Sequence, residues 1–453
     1  MPQYKVRDVL KVTGGKLLSG RTDATFDPSR VSTDTRSIKK GDIFLALKGG
    51  NFDANDFAEE AFKKGASGAI VSRHIPAPHG KFVIMAKDTT DALQRMAAYH
   101  RSKFRIPVIA ITGSNGKTTV KDMIWKVLSS KYEVLRNEGT KNNHIGVPQT
   151  LLNLNDRHDI CVLEFGTNHP GEIMALGLIA RPTLSVITNI GPSHLEFLID
   201  LEGVFREKKS ILSAFDAKSK GVAVLNGDDP YLSRIRTRKI TVKTVGFADG
   251  NFLRGAVKSV GRSFVDFTVN DEEQYRIKLL GCHNVYNALI AIAVGKHFNL
   301  GHNTIRKTLS SFRPTSMRLD LKEVKGFSVI DDSYNSNPLS MEKALDVINT
   351  FPAPSKWVVS GDMLELGKRS VDFHKSVGEM VAHSSASGLL TMGELSRHTL
   401  DKARSSGMDG SRLWHCSTHD EIASVLRRVL KKGDVVLLKG SRSMKMERVL
   451  DRL

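Results

Sequence analysis

The sequence predicts an α/β protein of three domains: a central doubly wound, mostly parallel sheet, a second doubly wound domain after it, and a smaller α/β domain before it. Three observations carry this. The apolar strand Pro107–Ile111 runs into a glycine-bearing turn, Thr112-Gly-Ser-Asn-Gly-Lys-Thr-Thr119, that opens a helix. Apolar strand segments alternate with helical ones along most of the chain, which is the pattern of parallel strands covered on both faces. At 453 residues the chain exceeds one ordinary core, and the length suggests roughly three domains.

The first block, 1–103, holds short apolar segments at Ile43–Leu47, Gly68–Val71 and Phe82–Met85, with helix-like stretches near 56–64 and 89–102. The second, 104–313, continues from the strand before the turn. It alternates strands Ile160–Glu164, Leu184–Thr188 and Val222–Leu225 with helices at 117–130 and 202–215. Near its end Val265, Phe267 and Val269, then Tyr275, Ile277 and Leu279, repeat at period two. That spacing predicts a hairpin at the sheet edge, followed by a helix from Asn284 to about His297. Phe312-Arg-Pro-Thr-Ser316 reads as a linker into the third block, 314–453. Its strands are Phe327–Asp331, Trp357–Ser360, Leu389–Thr391 and Val435–Leu438, with helical segments between them.

Apolar residues make up 40% of the chain and charged ones 25%, a soluble globular composition. No apolar run approaches the roughly 18 residues of a membrane span. The first residues lack a hydrophobic signal core. Cys161, Cys282 and Cys416 are far apart and fit no metal or disulfide spacing, so a reducing cytoplasm is the expected location. Lysine and arginine exceed the acids by 67 to 48, a net charge of +19. These basic residues are spread along the chain without interleaved aromatics, so no nucleic-acid partner is expected. Two accounts of the charge remain, attraction of an anionic nucleotide substrate and weak peripheral contact with an anionic membrane face. Each requires activity or vesicle sedimentation to fall as ionic strength rises from low to physiological, which a salt series measures directly.

The turn at 112–119 names an energy source. Backbone N–H groups of Gly113, Ser114, Asn115 and Gly116 and of the helix start at Lys117–Thr119 can cradle a polyphosphate. The Lys117 ammonium offsets phosphate charge and the Thr118 hydroxyl can ligate Mg²⁺. A P-loop of the full form would carry glycine at 111, where this chain has isoleucine. Glu164 closes an apolar strand, where a buried carboxylate is costly unless a cation such as Mg²⁺ pairs with it. His194 follows a strand and turn on the same expected edge and can ligate metal or simply pack. On chemistry alone Lys208 is a solvated charge on an amphipathic helix, with Lys209 pointing elsewhere. Asp331-Asp-Ser-Tyr-Asn-Ser-Asn-Pro338 and Lys439-Gly-Ser-Arg442 each place polar side chains at a strand's carboxyl end, a position suited to ligand binding.

These residues together resemble the Mur ligase family over essentially the whole chain. Thr112-Gly-Ser-Asn-Gly-Lys-Thr-Thr119 has the family's form of the loop. Ser32–Arg36, Gly41–Leu47 and Phe52–Phe57 are similar to its UDP-sugar-binding domain. Asn142-Asn-His-Ile-Gly-Val-Pro148, Leu163–Gly166 and His283–Ala288 are similar to its ATPase domain. Asp331–Pro338, Gly361-Asp-Met-Leu-Glu-Leu-Gly367 and Lys439–Arg442 are similar to its C-terminal, Rossmann-like domain. The first two of these last three patterns mark the branch that adds a dipeptide.

The resemblance implies an ATP-dependent ligase that joins D-alanyl-D-alanine to a UDP-muramoyl-tripeptide through an acyl phosphate, acting as a monomer with Mg²⁺. It implies catalytic roles for Lys117, Glu164, His194 and Lys208, the last as a CO2-derived carbamate that completes a metal site with Thr118, Glu164 and His194. Asn284 and Asn287 would lie near adenine, and Arg318, Asp331 and Asp332 would close over ATP. Thr33, Thr35, Arg36, Asn142 and Asn143 would serve the UDP-peptide substrate. Tyr334, Asn335, Asn337, Lys439 and Arg442 would serve the dipeptide end. Two stretches depart from the family pattern: Ala54-Asn55 stand where it has Gly-His, and Lys209-Ser210 where it has Gly-Glu. The rivals are another amide ligase of the superfamily, such as a folylpolyglutamate synthase, and a P-loop ATPase driven by nucleic acid, whose hydrolysis nucleic acid would stimulate.

Overall fold

The computed structural model describes residues 3–50, 52–215 and 220–453. Three large sheets carry the chain. The first has five strands in the order Lys16–Ser19, Phe82–Met85, Gly68–Val71, Ile43–Leu45 and Val31–Ser32, parallel except at the first. The central sheet has nine, and its parallel part runs Leu253–Val260, Thr241–Gly246, Val222–Asn226, Leu184–Ile187, Val108–Thr112, Ile160–Glu164, Val134–Arg136. The third has six, in the order Asp320–Val324, Phe327–Asp332, Val435–Lys439, Lys356–Gly361, Gly388–Met392 and Leu413–Cys416, with the first antiparallel. The expected α/β class and the doubly wound central and C-terminal sheets are therefore observed.

The buried strands read as unbroken apolar runs because both faces are covered. Val108–Thr112, Ile160–Glu164 and Leu184–Ile187 are buried at every position. The helix Lys117–Leu128 and the helix His283–His297 cover one face of the central sheet. On the other face the core is continuous from Tyr4 to Ile235. The helix Thr89–Ser102, started by the Asp88 carboxylate accepting from the N–H groups of Thr90 and Asp91, packs on Gly146–Leu151 and Glu172–Ala180. The N-terminal sheet is thus locked to the central one by shared apolar packing rather than by a tether.

The hairpin is where the spacing placed it. Val265–Val269 pairs antiparallel with Glu273–Ile277 at the end of the central sheet. Its turn places Asn270 and Asp271 at φ of 50° and 64°, the left-handed pair a tight hairpin asks for. The helix expected over 202–215 is shorter: an α-helix covers Leu201–Lys209, and a 3-10 turn covers Ser210–Ser213. Among the described residues no helix is long and apolar enough to cross a membrane.

Candidate active site

The strand Val108–Thr112 stands at the switch point of the central sheet, since the next strands in sequence are laid on one side of it and later ones on the other. A crevice outside the carboxyl ends of parallel strands opens at such a point. Here it forms a cavity of about 820 Å³, closed on its far side by the carboxyl ends of Phe327–Asp332 and Val435–Lys439 from the third sheet. Two sheets thus present their polar strand ends to one space.

The phosphate-binding turn forms one wall and is held from behind. Ser114 Oγ donates to the Gly191 carbonyl and accepts from the Gly191 N–H, both at 2.9 Å. The Asn115 N–H donates to Asn189 Oδ1 at 2.9 Å, while Thr188 Oγ1 and Asn189 Nδ2 donate to the Asn115 carbonyl. Gly113 has φ of 147°, and a Cβ there would sit 1.9 Å from Thr188 Oγ1. Only glycine lets the loop lie so close to this support. Lys117 Nζ folds back on the carbonyls of Gly113 and Ser114 at 2.8 and 3.2 Å. Burial lowers its pKa and the Arg318 cation adds to this, against the pull of Glu164.

Glu164 sits at the floor, 2% exposed. Its Oε2 accepts from Thr118 Oγ1 at 2.8 Å and its Oε1 from Asn142 Nδ2 at 2.8 Å, with the buried Lys121 ammonium 3.9 Å from Oε2. Asn137 holds the backbone: its Oδ1 accepts from the Glu164 N–H at 2.9 Å, and its Nδ2 donates to the Glu164 carbonyl at 3.0 Å. Asn137 is itself buried, so Asn137→Ala strands two backbone groups. It should cost about 2–3 kcal/mol of stability, read as a lower denaturant midpoint, with loss of activity from a misplaced carboxylate.

Arg318 Nη2 donates to Thr118 Oγ1 at 3.0 Å and the guanidinium lies 3.9 Å over the Tyr334 ring, while its buried Nε has no hydrogen-bond partner among the described residues. An unpaired guanidinium N–H beside a phosphate loop is a donor prepared for an anion. Asp332 pairs with Lys439, whose Nζ also donates to the Asn335 carbonyl at 3.0 Å. Burial raises the pKa of Asp332, and Lys439 opposes the shift. The start of the helix His283–His297 supplies Asn284 and Asn287, joined by a 2.8 Å bond from Asn287 Nδ2 to Asn284 Oδ1. Burial pushes the neighbouring His283 down to about 4.

Lys208 contradicts the solvated reading. It is 1% exposed, and its ammonium makes no hydrogen bond or ion pair with another described residue. Burial lowers its pKa well below 10.5, and the Lys117 charge adds to that. Lys209 points outward over the Phe205 ring. The adjacent Glu207 is occupied elsewhere, accepting from the N–H groups of Gly171 and Ile173 at the start of the helix Glu172–Ala180.

Most of the expected site residues line this one cavity: Ser114 to Thr119, Asn142, Asn143, Glu164, His194, Asn284, Asn287, Arg318, Asp332, Tyr334, Asn335, Asn337 and Lys439. Others are placed elsewhere. Pleating sends Asp331 to the face opposite Asp332, where it is fully buried and accepts from Lys322 Nζ and Ser333 Oγ. Its expected place over ATP is corrected accordingly. Arg442 is drawn into a surface ion pair with Glu447 at 2.7 Å and does not line the cavity. Thr33, Thr35 and Arg36 lie outside it, in the segment that follows the strand Val31–Ser32 of the N-terminal sheet, with Thr35 and Arg36 in the 3-10 turn Thr35–Ser37. Thr33 Oγ1 accepts from Gln149 Nε2 at 2.8 Å, and Arg36 pairs with Asp34. Asn143 accepts from the Gly146 N–H just before the helix Gly146–Leu151, and Asn337 caps the helix Pro338–Thr350, accepting from the Ser340 N–H. Asn55, one of the departures from the family pattern, is 1% exposed and tied to Asp53 and Ser72, so it staples that loop from inside.

Sequence reasoning missed several neighbours. Asp228 and Asp229 line the cavity after the strand Val222–Asn226, with Asp228 accepting from Tyr286 Oη at 2.8 Å. Asn226-Gly-Asp-Asp-Pro230 is a polar cluster at a strand's carboxyl end, the same signal used at 331–338. The supports Thr188 and Asn189 carried no local signal, and Glu365 was quoted only as part of the Gly361–Gly367 pattern, with no role or partner.

The Mur ligase middle domain family matches residues 111–295, and the Mur ligase, glutamate ligase domain family matches 317–442. Over 457 aligned residues the chain is 35% identical to the UDP-N-acetylmuramoyl-tripeptide--D-alanyl-D-alanine ligase of Bacillus subtilis, covering 100% of this chain and 99% of that protein. It is 34% identical to the enzyme of the same name from Escherichia coli, covering 95% and 94%. A crystal structure of MurF from Acinetobacter baumannii superposes with a TM-score of 0.90 at 29% identity, covering 100% of this chain and 98% of that one. The MurF ligase of Thermotoga maritima in complex with ADP gives 0.83 at 28% identity, over 94% and 97%. With relatives this similar along its whole length, and with the cavity set between the two matched domains, the chain belongs to the Mur ligase family.

Proposed function

We propose that this cavity binds ATP with Mg²⁺ and that the chain adds D-alanyl-D-alanine to UDP-N-acetylmuramoyl-tripeptide, forming ADP and phosphate. The observation that carries the reading is the convergence of the phosphate loop, Glu164 and the Asp332–Lys439 pair on one space between two sheets. A carboxylate must attack a phosphorus atom that is itself surrounded by negative charge, so the site has to supply positive charge at fixed positions.

The residues present fit Mg²⁺. Thr118 and Glu164 offer hard oxygens 2.8 Å apart, and Mg²⁺ takes most of its shell from water and phosphates. Thr118, Glu164 and His194 would hold it, with Lys208 as a carbamate, and bound there it would neutralise phosphate oxygens. Carbamylation needs a neutral amine, and burial of Lys208 together with the Lys117 charge favours that form against the opposing pull of Glu207. Lys117 exchanges the carbonyls of Gly113 and Ser114 for phosphate oxygens. Arg318 offers its unpaired Nε–H from the third domain, and Asn284 and Asn287 flank the base. The N-terminal domain, 1–103, holds the UDP-sugar through Thr33, Thr35 and Arg36. The central domain, 104–313, holds ATP, and 314–453 holds the dipeptide, with Tyr334 and Asn335 at its site. The protein works as a monomer in the cytoplasm.

Once phosphorylated, the tripeptide carboxyl is an acyl phosphate. The dipeptide amine attacks its carbonyl carbon, and phosphate leaves as the amide forms. Asn337 works differently from Tyr334: its amide pairs with that of Asn115, Nδ2 to Oδ1 at 2.9 Å, and joins the third domain to the phosphate loop. Closure of the domains therefore assembles the site. Tyr334→Ala should raise the KM for the dipeptide about tenfold and also lower kcat, because its ring supports Arg318. Initial rates at varied dipeptide separate the two effects.

The reading is tested by phosphate release from ATP and Mg²⁺. Release should require both the UDP-muramoyl-tripeptide and D-alanyl-D-alanine, with a product of the pentapeptide's mass. Release that ignores the dipeptide would leave the phosphate loop in place and end the ligase assignment.

A further inference from the structure

The loop between the strand Lys356–Gly361 and the 3-10 turn Gly367–Arg369 reaches across to the central domain and touches the segment around His194. We propose that Glu365 on this loop is the positioning residue for His194: it fixes the imidazole so that the metal-binding side of the site is completed only when the third domain is docked. The proposal rests on the reading of His194 as a Mg²⁺ ligand.

Glu365 Oε2 lies 2.7 Å from His194 Nδ1, across 171 residues of sequence. An ionised carboxylate only accepts, so Nδ1 carries the proton and Nε2 keeps its lone pair. A histidine that ligates a metal through one nitrogen usually donates the other N–H to such a group, which sets both the tautomer and the ring plane. The ring is 20% exposed and lines the cavity, while Glu365 approaches from the rim at 46%.

The backbone around this pair is specialised on both sides. His194 and Glu365 have φ of 54° and 63°, a region that residues with a side chain enter only where their surroundings hold them. The Glu196 N–H donates to the Glu365 carbonyl at 3.3 Å. Gly367, at φ of 64°, lies so close that a Cβ would meet Glu196 Cα at 3.2 Å and its N at 3.3 Å. The loop is therefore seated on the residues that follow His194, and the carboxylate is delivered by that seating. Glue between domains would need neither a left-handed histidine nor a carboxylate paired with one of its ring nitrogens.

The test is calorimetric titration of ADP, with and without Mg²⁺, into the full chain and its Glu365→Ala, Glu365→Gln and His194→Ala variants. Glu365→Ala should lose about 10–100-fold of the Mg²⁺-dependent gain in ADP affinity, while its metal-free ADP affinity stays within about twofold. Glu365→Gln, whose amide oxygen still accepts from Nδ1–H, should keep most of the gain. Glu365 is half exposed, so these variants should fold. Full Mg²⁺ dependence in Glu365→Ala beside its loss in His194→Ala would overturn the proposal alone. An equal fall of metal-free and metal-loaded binding in Glu365→Ala would overturn it in favour of simple domain adhesion. Full Mg²⁺ dependence in His194→Ala would remove the reading of His194 and this proposal together.

Discussion

Lys117→Ala should reduce ATP-dependent phosphate release by roughly 1,000-fold or more, on the order of 4 kcal/mol of lost transition-state stabilisation. The argument is electrostatic. Lys117 is the cation whose Nζ sits within hydrogen-bond distance of the loop carbonyls, 2.8 Å from that of Gly113. Arg318 reaches the same region, but only from the third domain and through Thr118. With Lys117 gone, nothing on the loop offsets charge as the carboxylate approaches the phosphoryl group. The fold should survive, because Lys117 contributes no apolar packing to the core and the loop is braced independently by Thr188 and Asn189. Thermal unfolding near that of the parent, together with lost phosphate release, is the expected pair of results. Intact turnover would remove the phosphate loop from the account.

The second large effect concerns Lys208. Stripping CO2 from the protein should lower its rate, bicarbonate should restore it, and Lys208→Ala should be about 100-fold slower and indifferent to bicarbonate. Carbon-13 bicarbonate should give a carbamate signal in the parent that the variant lacks; its absence from the parent would contradict the assignment. The same burial makes a stability prediction for CO2-free protein. The unfolded chain protonates Lys208 below about 10.4, whereas the folded chain holds its pKa well below that. Between those two values the unfolded state binds the extra proton, so this residue makes stability rise with pH across that window and makes it constant outside it. Lys208→Met should flatten that slope in denaturant titrations at several pH values.

The parts of the fold that were legible in the sequence are those where one physical signal dominates. Val108–Thr112, Ile160–Glu164 and Leu184–Ile187 are buried on both faces and therefore read as apolar runs. The edge strands Val134–Arg136 and Leu413–Cys416 are short and half exposed, so neither period nor hydropathy marks them. Thr241–Gly246 lies inside the sheet, but its first four residues are exposed or half-buried, and it mixes polar and apolar residues accordingly. In the site, residues within one motif were readable because their spacing is local. Lys208 was misjudged on chemistry because a lysine on a helix gives no sign of which face is covered, and the cover comes from other elements. Asp331 and Asp332 illustrate the reverse: adjacent in sequence and alike in chemistry, they are parted by the pleat. Glu365 stands in the Gly361–Gly367 pattern, but its pairing with His194 could not be read locally, since domain packing brings the two together.

The central claim is that the tripeptide carboxylate itself attacks the γ-phosphorus. If so, one carboxylate oxygen must leave with phosphate when the amide forms. The direct measurement is a turnover with the terminal carboxylate of the UDP-muramoyl-tripeptide labelled with heavy oxygen, followed by mass analysis of the phosphate released. The account predicts one labelled oxygen in each phosphate, with the other retained in the new amide. Unlabelled phosphate beside an amide that keeps one heavy oxygen, the other having left in water, would contradict it.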